Sequence, residues 1–423
     1  MKESILHHVW QYRLFAANRL TTTGGETVEV IDPGKLNTDA GPDFFNAKLK
    51  IDNTLWVGNI EIHNLSSDWV KHNHHRDKAY DNVIMHVVHH ADTEVRRTNG
   101  ELIPQMEMKV PEDIQIRYDE LITARKWVAC EDKLQLVPHI LISSWKSALL
   151  TERLERKTAA IETMLSQSQN HWEEAFYISL ARSFGFSTNS QAFETMAKSL
   201  PLAILAKHKD NISQLEALLM GQAGFLDKVE QDEYQFALQK EYRFLQAKYG
   251  LKPMELSQWK LLRLRPDNFP TVRLAQFASL IFSSSKLFSV ILETHSCKEL
   301  RKLFDTEVTE YWQKHYLFGR ESPDSKKKMG ERSIDILLIN TVIPFLFAWG
   351  IKKNDENRKE EAIRLLEKIK PENNIIILRW KERGVNCHSA FDSQALLQLK
   401  KNYCDEKKCL QCRIGHKVLI INK

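Results

Sequence analysis

A change of hydrophobic pattern near residue 125 constrains the fold of this chain more than any other sequence feature. Before it, short β-branched runs alternate with turn signals, and the runs 45–51 and 55–63 on either side of the turn 52–54 predict a β-hairpin. After it, long helical stripes begin, and no β-rich run intervenes for about two hundred residues. The pattern predicts an α+β fold class, with an N-terminal α/β part followed by a large all-helical part.

The length of 423 residues exceeds what one hydrophobic core usually organises. We expect an α/β domain over residues 1–130, an all-helical domain over 131–352, and a helical C-terminal module with a cysteine cluster over 353–423. In the first domain, the patterns predict the order helix, three strands, helix, strand. The net charge of +5 permits a polyanionic partner such as nucleic acid without demanding one.

The sequence favours a cytosolic location. The N-terminal residues alternate charged and apolar types, unlike the unbroken apolar stretch of a secretory signal. Segment 333–350 is very apolar, but it contains Asp335, Asn340 and Pro344 and is at the short limit for a membrane span. We therefore predict that this segment is a buried core helix, with a membrane span as the alternative, and we expect no membrane partner.

Three polar side chains are predicted to converge at one end of the hairpin. With a three-residue turn, Asp43 lies opposite His63, and Glu61 shares the face of His63 because side chains alternate along a strand. A two-residue turn would place Asp43 on the other face if the strand stayed regular. Two carboxylates are the minimum for holding Mg²⁺ or Mn²⁺, and His63 would then orient water or stabilise charge at phosphorus. The alternative is the ordinary polar face of a half-buried strand.

Pro42-Asp43 and Glu61-Ile62-His63, on the predicted order of elements, resemble the PD-(D/E)XK nuclease superfamily, the restriction-endonuclease-like fold. The resemblance covers about a quarter of the chain. It implies that Asp43 and Glu61 bind Mg²⁺ and activate water against a phosphodiester. His63 stands where that family has Lys, and His is charged only below roughly pH 6.5, so the expected activity is weaker, differently pH-dependent or absent. The whole chain is also similar to bacterial proteins of an uncharacterised domain-of-unknown-function family, a likeness that supplies no activity.

A histidine-rich segment follows the second strand of the hairpin. It predicts a helix over residues 68–80, with His72 and His75 on one face. A Zn²⁺ site is one alternative, because imidazole suits that ion, and a capped polar helix without a ligand is another. His86, in the next apolar strand, is predicted to be a satisfied core histidine. In the nuclease interpretation, the side chains that contact phosphates are Lys71, His72, His75 and Arg76.

Four of the six cysteines crowd the C-terminal end with spacings that are typical of a metal site. We predict a tetrahedral Zn²⁺ site, with an iron–sulfur cluster as the alternative because it also takes four Cys. His388 and His416 are substitutes if one Cys does not participate, and free thiols remain possible. Cys130 and Cys297 are isolated in the sequence and are predicted to be buried apolar residues. The predicted ligands are Cys387, Cys404, Cys409 and Cys412.

Three functions follow from these patterns. The first is a metal-dependent phosphodiesterase that acts on DNA or RNA. The second is a catalytically silent nucleic-acid-binding or scaffold protein with the same fold. The third is a zinc-dependent hydrolase that uses Glu61, His63, His72 and His75. The chain has no phosphate-cradling Gly-rich loop, nucleophile elbow or dinucleotide fingerprint, which excludes nucleotide-driven motors and hydrolases of those types.

Overall fold

The computed structural model describes residues 2–15, 20–227, 231–284 and 286–421, and its contacts divide the chain into two compact units. The sheet unit comprises Met1–Trp145 and Leu399–Lys423, and the helical unit comprises Lys146–Gln398. The predicted α+β class, with an N-terminal sheet and a large helical region, is confirmed.

The sheet unit begins with helix α1, Glu3–Gln11, and continues into a mixed sheet. Its strands are β1 Val28–Asp32, β2 Lys35–Leu36, β3 Phe44–Ile51, β4 Thr54–Leu65, β5 Val83–His90 and β6 Gln105–Glu107. Within the described residues these six strands have the order β1-β3-β4-β5-β6, and β2 pairs with β3. The pairs β1-β3 and β3-β4 are antiparallel, whereas β5 and β6 add in parallel to β4.

The hairpin of β3 and β4 has a shorter turn than predicted. Ile51 pairs with Thr54, so two residues form the turn instead of three. Asp52 has a left-handed φ of 48°, and its carboxylate accepts hydrogen bonds from the backbone N–H and the hydroxyl of Thr27 at 2.8 and 2.9 Å. A one-residue change of register would by itself turn every side chain of β3 to the opposite face.

A β-bulge in β3 returns the side chain of Asp43 to the face of the sheet that the three-residue turn predicted. The register shifts by one further residue between positions 44 and 47, where Asn46 has a left-handed φ of 56°. Two shifts of one residue cancel in a side-chain period of two, so Asp43 keeps the face of Glu61. Asp43 thereby comes level with Glu61, and the predicted alignment of Asp43 with His63 was wrong.

The crossover from β4 to β5 is not the single helix predicted over residues 68–80. Helix α2, Asp68–Lys71, is one turn long, and Asn73 then has a left-handed φ of 64°. Two short 3₁₀ turns follow within residues 74–80. The left-handed conformation of Asn73 terminates the helix, so residues after it do not share a helix face with residues before it.

Apolar packing holds the elements that carry this part of the chain. α1 contacts β4, and Ile5, Val9 and Trp10 are buried on its apolar side. In the crossover, Trp69 is fully buried and packs with Val83, and its indole N–H donates to a backbone carbonyl at 3.1 Å. Burial of one large apolar side chain contributes roughly 1.5–3 kcal/mol, so these anchors fix α1 on β4 and the crossover on β5.

Helices α3, Glu112–Thr123, and α4, His139–Gln167, follow the sheet, and α4 runs into the helical unit. That unit also contains the hairpin of β7, His315–Leu317, and β8, Arg320–Glu321, which the all-helical prediction missed. Its further helices are α5 Trp172–Phe184, α6 Ser190–Ser199, α7 Leu202–Ala206, α8 Ile212–Gln222, α9 Glu233–Tyr249, α10 Pro270–Ser283, α11 Leu287–Leu292, α12 Cys297–Leu303, α13 Glu310–Lys314, α14 Glu331–Leu337, α15 Ile343–Lys353, α16 Glu356–Lys368 and α17 Ile375–Glu382.

The apolar segment that raised the question of a membrane span is Glu331–Lys353, in which a π turn joins α14 to α15. Among the described residues it is the one helix that is long and apolar enough to cross a membrane. Its most apolar window has a mean hydropathy of 1.9, and 78% of that window is buried inside the protein. The core helix of a soluble protein has this same combination of length, composition and burial.

The C-terminal segment is not a separate module. Helix α18, Ala390–Leu399, leads through a π turn at Lys400–Cys404 to α19, Arg413–Leu419. α19 packs against α3 and against the 3₁₀ turn Glu131–Leu136. Residues 399–423 therefore belong to the sheet unit, and the division into two units differs from the three consecutive domains predicted.

Candidate metal centre

The bulged hairpin interlocks the two predicted carboxylates. The backbone N–H of Asp43 donates to Oε2 of Glu61 at 3.1 Å, and the backbone N–H of Ile62 donates to Oδ2 of Asp43 at 2.9 Å. Glu61 is only 4% exposed. Burial raises the pKa of Glu61, although a hydrogen bond with His74 opposes the rise and the charge of Asp43 adds to it. Burial and a second carboxylate both disfavour the charged form of Glu61. A bound cation would stabilise that charged form.

Three imidazoles lie on the same side as Glu61. Nε2 of His63 is 3.4 Å from Oε1 of Glu61, and Nε2 of His74 is 3.2 Å from the same oxygen. Nδ1 of His72 is 3.1 Å from Nε2 of His63. In the described part of the chain, these three histidines form a group whose ligand atoms all lie within 4.8 Å of one another. Together with Glu61 they offer the mixed nitrogen and oxygen donors that a transition metal prefers.

Neighbouring side chains orient two of these imidazoles. Nδ1 of His63 is 2.9 Å from Nε2 of His86, which is fully buried in β5, as predicted for a core histidine. His74 stacks on the ring of Tyr80 with a centroid distance of 3.8 Å. Metal-binding histidines are usually oriented by partners of this kind. Burial lowers the pKa of His63 and of His86 to about 3, so both rings are neutral at pH 7, the form that binds metals.

A fourth imidazole, which the sequence did not indicate, reaches the site from α1. Nε2 of His7 lies 3.4 Å from Oδ2 of Asp43. Burial lowers the pKa of His7, but the hydrogen bond and the charge of Asp43 more than offset this effect, and the net pKa is raised. No local pattern could have predicted this contact, because α1 and β3 approach each other only through tertiary packing.

The residues predicted to contact phosphate are placed unevenly. His72 belongs to the histidine group, and Lys71 and Arg76 are exposed beside it. His75 is half-buried, and its Nδ1 is buried without a hydrogen-bond partner. His74 takes the place predicted for His75 in a zinc site, because the predicted helix is broken before these two residues.

The four predicted cysteine ligands do not share one unit. Cys404, Cys409 and Cys412 belong to the sheet unit, whereas Cys387 belongs to the helical unit. The thiol of Cys404 instead interacts electrostatically with those of Cys412, Cys130 and Cys409. Cys130, predicted to be an isolated buried residue, therefore lies among the C-terminal cysteines.

A family model described as "Protein of unknown function (DUF2851)" matches residues 3–375. The predicted similarity to an uncharacterised family is thereby confirmed. No curated protein and no solved structure matches the chain. The geometry of the site is therefore the basis for assigning its function.

Proposed function

The chain belongs to the DUF2851 family, and we propose that it is a metal-dependent phosphodiesterase that cleaves DNA or RNA. The observation that carries this proposal is the interlocked pair of carboxyl groups, joined through the backbones of β3 and β4 at 3.1 and 2.9 Å. Such a pair can hold a divalent cation that binds a phosphate oxygen and lowers the pKa of a bound water. Asp43 and Glu61 are the metal ligands in this proposal.

The order of elements supports the same proposal. α1, the antiparallel strands β1, β3 and β4, the crossover and the parallel strand β5 follow one another as in the restriction-endonuclease-like fold. The Pro42-Asp43 and Glu61-Ile62-His63 elements, which resemble the motifs of that fold, lie directly before β3 and in β4. We propose that the sheet part of this unit is a divergent member of that superfamily.

His63 has a different role here from the lysine it replaces. Its ring is buried between Glu61 and His86 and carries no permanent positive charge. Imidazole nitrogens are metal ligands, so we assign His63 and His74 to holding and orienting the metal. The positive charges that contact phosphate come from the cation and from the exposed side chains of Lys71 and Arg76.

The donor set also affects the choice of metal. Carboxylates suit Mg²⁺ and Mn²⁺, whereas imidazoles favour later transition metals. With Asp43, Glu61 and three nearby histidines, we expect Mn²⁺ to support more activity than Mg²⁺. We also propose that the protein is cytosolic.

A second candidate function is favoured by the histidine group itself. Glu61 together with His63, His72 and His74 provides enough ligands for a catalytic Zn²⁺ that keeps one position open for water. This zinc-dependent hydrolase would not require Asp43. The two candidates therefore differ in their metal and in their dependence on one carboxylate.

Cleavage assays on single-stranded and duplex DNA and on RNA test the proposal. We expect cleavage with Mn²⁺, loss of cleavage with a chelator, and a loss of about 1,000-fold in Asp43→Asn and in Glu61→Gln. Asp39→Asn and Glu29→Gln are matched controls, because they make the same chemical changes at exposed positions of the same unit. Both controls should cleave like the wild type.

The remaining outcomes separate the alternatives. Unchanged cleavage in Asp43→Asn would contradict the carboxylate-pair mechanism. Activity with Zn²⁺ that survives Asp43→Asn and is lost in His74→Ala would favour the zinc hydrolase. Salt-dependent binding of nucleic acid without turnover under any of these metals would favour a silent nucleic-acid-binding protein.

A further inference from the structure

The C-terminal segment of the sheet unit is fastened beside the end of α3. Nζ of Lys407 donates hydrogen bonds to the backbone carbonyls of Ile122, at 3.0 Å, and of Ala124. The 3₁₀ turn Glu131–Leu136, which directly follows Cys130, contacts α19. Residues 404–412 are thereby held next to Cys130, although about 270 residues of chain separate them.

Four thiols are gathered at this place. The thiol of Cys130 is a neighbour of those of Cys412 and Cys409, and the thiol of Cys404 is a neighbour of all three. All four cysteines are free thiols, and each is buried or half-buried. Four converging thiols are the donor set that a thiophilic cation binds as thiolates.

The backbone around Cys409 and Cys412 has the form of a metal-binding knuckle. The N–H of Cys412 donates to the carbonyl of Cys409 at 3.3 Å, and the N–H groups of Ile414 and Gly415 are directed at the Cys412 sulfur. Gly415 lies so close to Cys409 that a Cβ would meet its carbonyl oxygen at 2.1 Å. Only glycine permits this approach, which holds the first turn of α19 against Cys409.

Trp145 is a second and independent indication of a ligand. It is 8% exposed, and its indole Nε1 is buried without a hydrogen-bond partner at normal distance. The indole N–H is directed at the sulfur of Cys412. An unsatisfied buried donor costs about 1–3 kcal/mol, and a metal-bound thiolate is a stronger acceptor than a neutral thiol. A metal-bound thiolate at Cys412 would give this buried N–H an acceptor.

Cys387 lies outside this group of thiols. It belongs to the helical unit, where its Sγ lies 4.0 Å from the carbonyl oxygen of Ser389.

We propose that Cys130, Cys404, Cys409 and Cys412 hold one metal centre, with Cys130 as the ligand that the local spacing attributed to Cys387. The centre fastens the C-terminal segment to the end of α3 and so completes the sheet unit. It goes beyond the phosphodiesterase proposal and does not depend on it.

A single Zn²⁺ and an iron–sulfur cluster are both held by four thiolates. The ligand set is therefore proposed for a thiophilic metal, and reconstitution distinguishes the two forms.

The test is to reconstitute the full chain without oxygen, either with Zn²⁺ or with Fe²⁺ and sulfide. Bound metal, acid-labile sulfide and the number of reactive thiols are then measured. We expect thiol-bound metal, either zinc alone or iron with sulfide, and four of the six cysteines to become protected. Cys130→Ser should lower bound metal at least about tenfold, and Cys387→Ser and Cys297→Ser are the matched controls that should retain it. A His74→Ala background prevents metal at the histidine group from being counted.

Full metal content in Cys130→Ser, or equal loss in Cys387→Ser, would overturn the ligand set. Four protected thiols would support the ligand set, as a Zn²⁺ site if zinc is bound and as a cluster if iron and acid-labile sulfide are bound. If Cys130→Ser fails to fold, the wild type decides, because six reactive thiols and no thiol-bound metal after reconstitution would overturn the proposal. Cys409→Ser is a second ligand variant and should also lose the metal.

Discussion

Two buried carboxyl groups, Glu61 in the sheet unit and Glu216 in the helical unit, have opposite surroundings. Glu216 is 1% exposed, and its oxygens accept hydrogen bonds from the hydroxyl of Tyr234 and from that of Thr309 at 2.9 Å. Glu61 is buried to a similar degree, but one of its oxygens faces two imidazole nitrogens at 3.2 and 3.4 Å. The two carboxyl groups are thus buried to a similar degree, but hydroxyl donors surround Glu216 and imidazole nitrogens surround Glu61.

A structural network and a candidate ligand site differ in how well their donors and acceptors complement each other. Around Glu216, hydroxyl donors complement carboxyl acceptors, and no further group is needed. Around Glu61, several ligand-type atoms converge, and the neighbouring imidazoles add to the effect of burial in lowering the pKa of His63. Convergent lone pairs are stabilised by a cation, whereas complementary donors and acceptors already satisfy each other.

The largest expected effect is on catalysis. Glu61→Gln should lower the rate of metal-dependent cleavage about 1,000-fold, because it removes the charge that holds the cation. Glu216→Gln should leave the rate unchanged, because it alters a network outside the site. Single-turnover cleavage measures both. Equal losses in the two variants would show that burial of a carboxyl group, not convergence of ligands, explains the effect.

The second prediction concerns the pH dependence of the helical unit. Burial raises the pKa of Glu216 to about 7, opposed by the hydrogen bonds of Tyr234 and Thr309. The folded state therefore keeps the proton up to about pH 7, whereas the unfolded chain loses it near 4.5, the ordinary pKa of a glutamate side chain. The free energy of unfolding should fall by about 3 kcal/mol as the pH rises between these values.

Glu216→Gln should remove this slope, because an amide does not titrate. Hydrogen exchange of the α8 amides at several pH values is the measurement, since two units need not unfold in one step. A slope that is the same in the variant and in the wild type would exclude Glu216 as its source.

The third prediction is that metal stabilises one unit. At a free metal concentration about 100 times the Kd, Mn²⁺ should raise the free energy of opening of β4 and β5 by about 2.7 kcal/mol. Glu61→Gln should abolish this gain, and Glu216→Gln should retain it. Hydrogen exchange with and without metal checks both variants. A gain spread equally over α8 would argue against a site on the sheet.

The fourth prediction separates two adjacent histidines. His74→Ala should weaken metal binding about 10- to 100-fold, because Nε2 of His74 faces Glu61 at 3.2 Å. His75→Ala is the matched control and should bind metal like the wild type. Metal titration followed by calorimetry measures the two affinities. A larger loss of metal affinity in His75→Ala would instead support the continuous helix that the sequence pattern predicted, in which His75 faces the site.

The smallest expected effect concerns the bulge that aligns Asp43. Asn46→Val should destabilise the hairpin by about 1–2 kcal/mol, because a β-branched residue disfavours the left-handed φ of 56°. Asn46→Gly is the control, since glycine adopts this conformation without strain. Cleavage should fall more in the valine variant. Equal cleavage by both would mean that the bulge does not position Asp43.

Most of the fold could be predicted from periodicity, whereas details of the candidate site could not. The hairpin and the helical region follow from local patterns of apolar residues. The shared face of Asp43 and Glu61 was expected from a regular three-residue turn, but it results from a two-residue turn and a bulge whose register shifts cancel. Turn length and bulges depend on hydrogen bonds such as that of Asp52 with Thr27, which a side-chain pattern does not reveal.

Local sequence patterns specify the ligand types and the nearby ligands of both candidate centres. These are the carboxylates of the hairpin, the histidine-rich crossover and the Cys409 to Cys412 knuckle. The distant side chains that join them are selected by tertiary packing. His7 reaches Asp43 from α1, and Cys130 lies with cysteines about 270 residues later. The physical reason is that spacing along the chain specifies neighbours within a turn, whereas packing of separate elements brings residues together without any periodic signal.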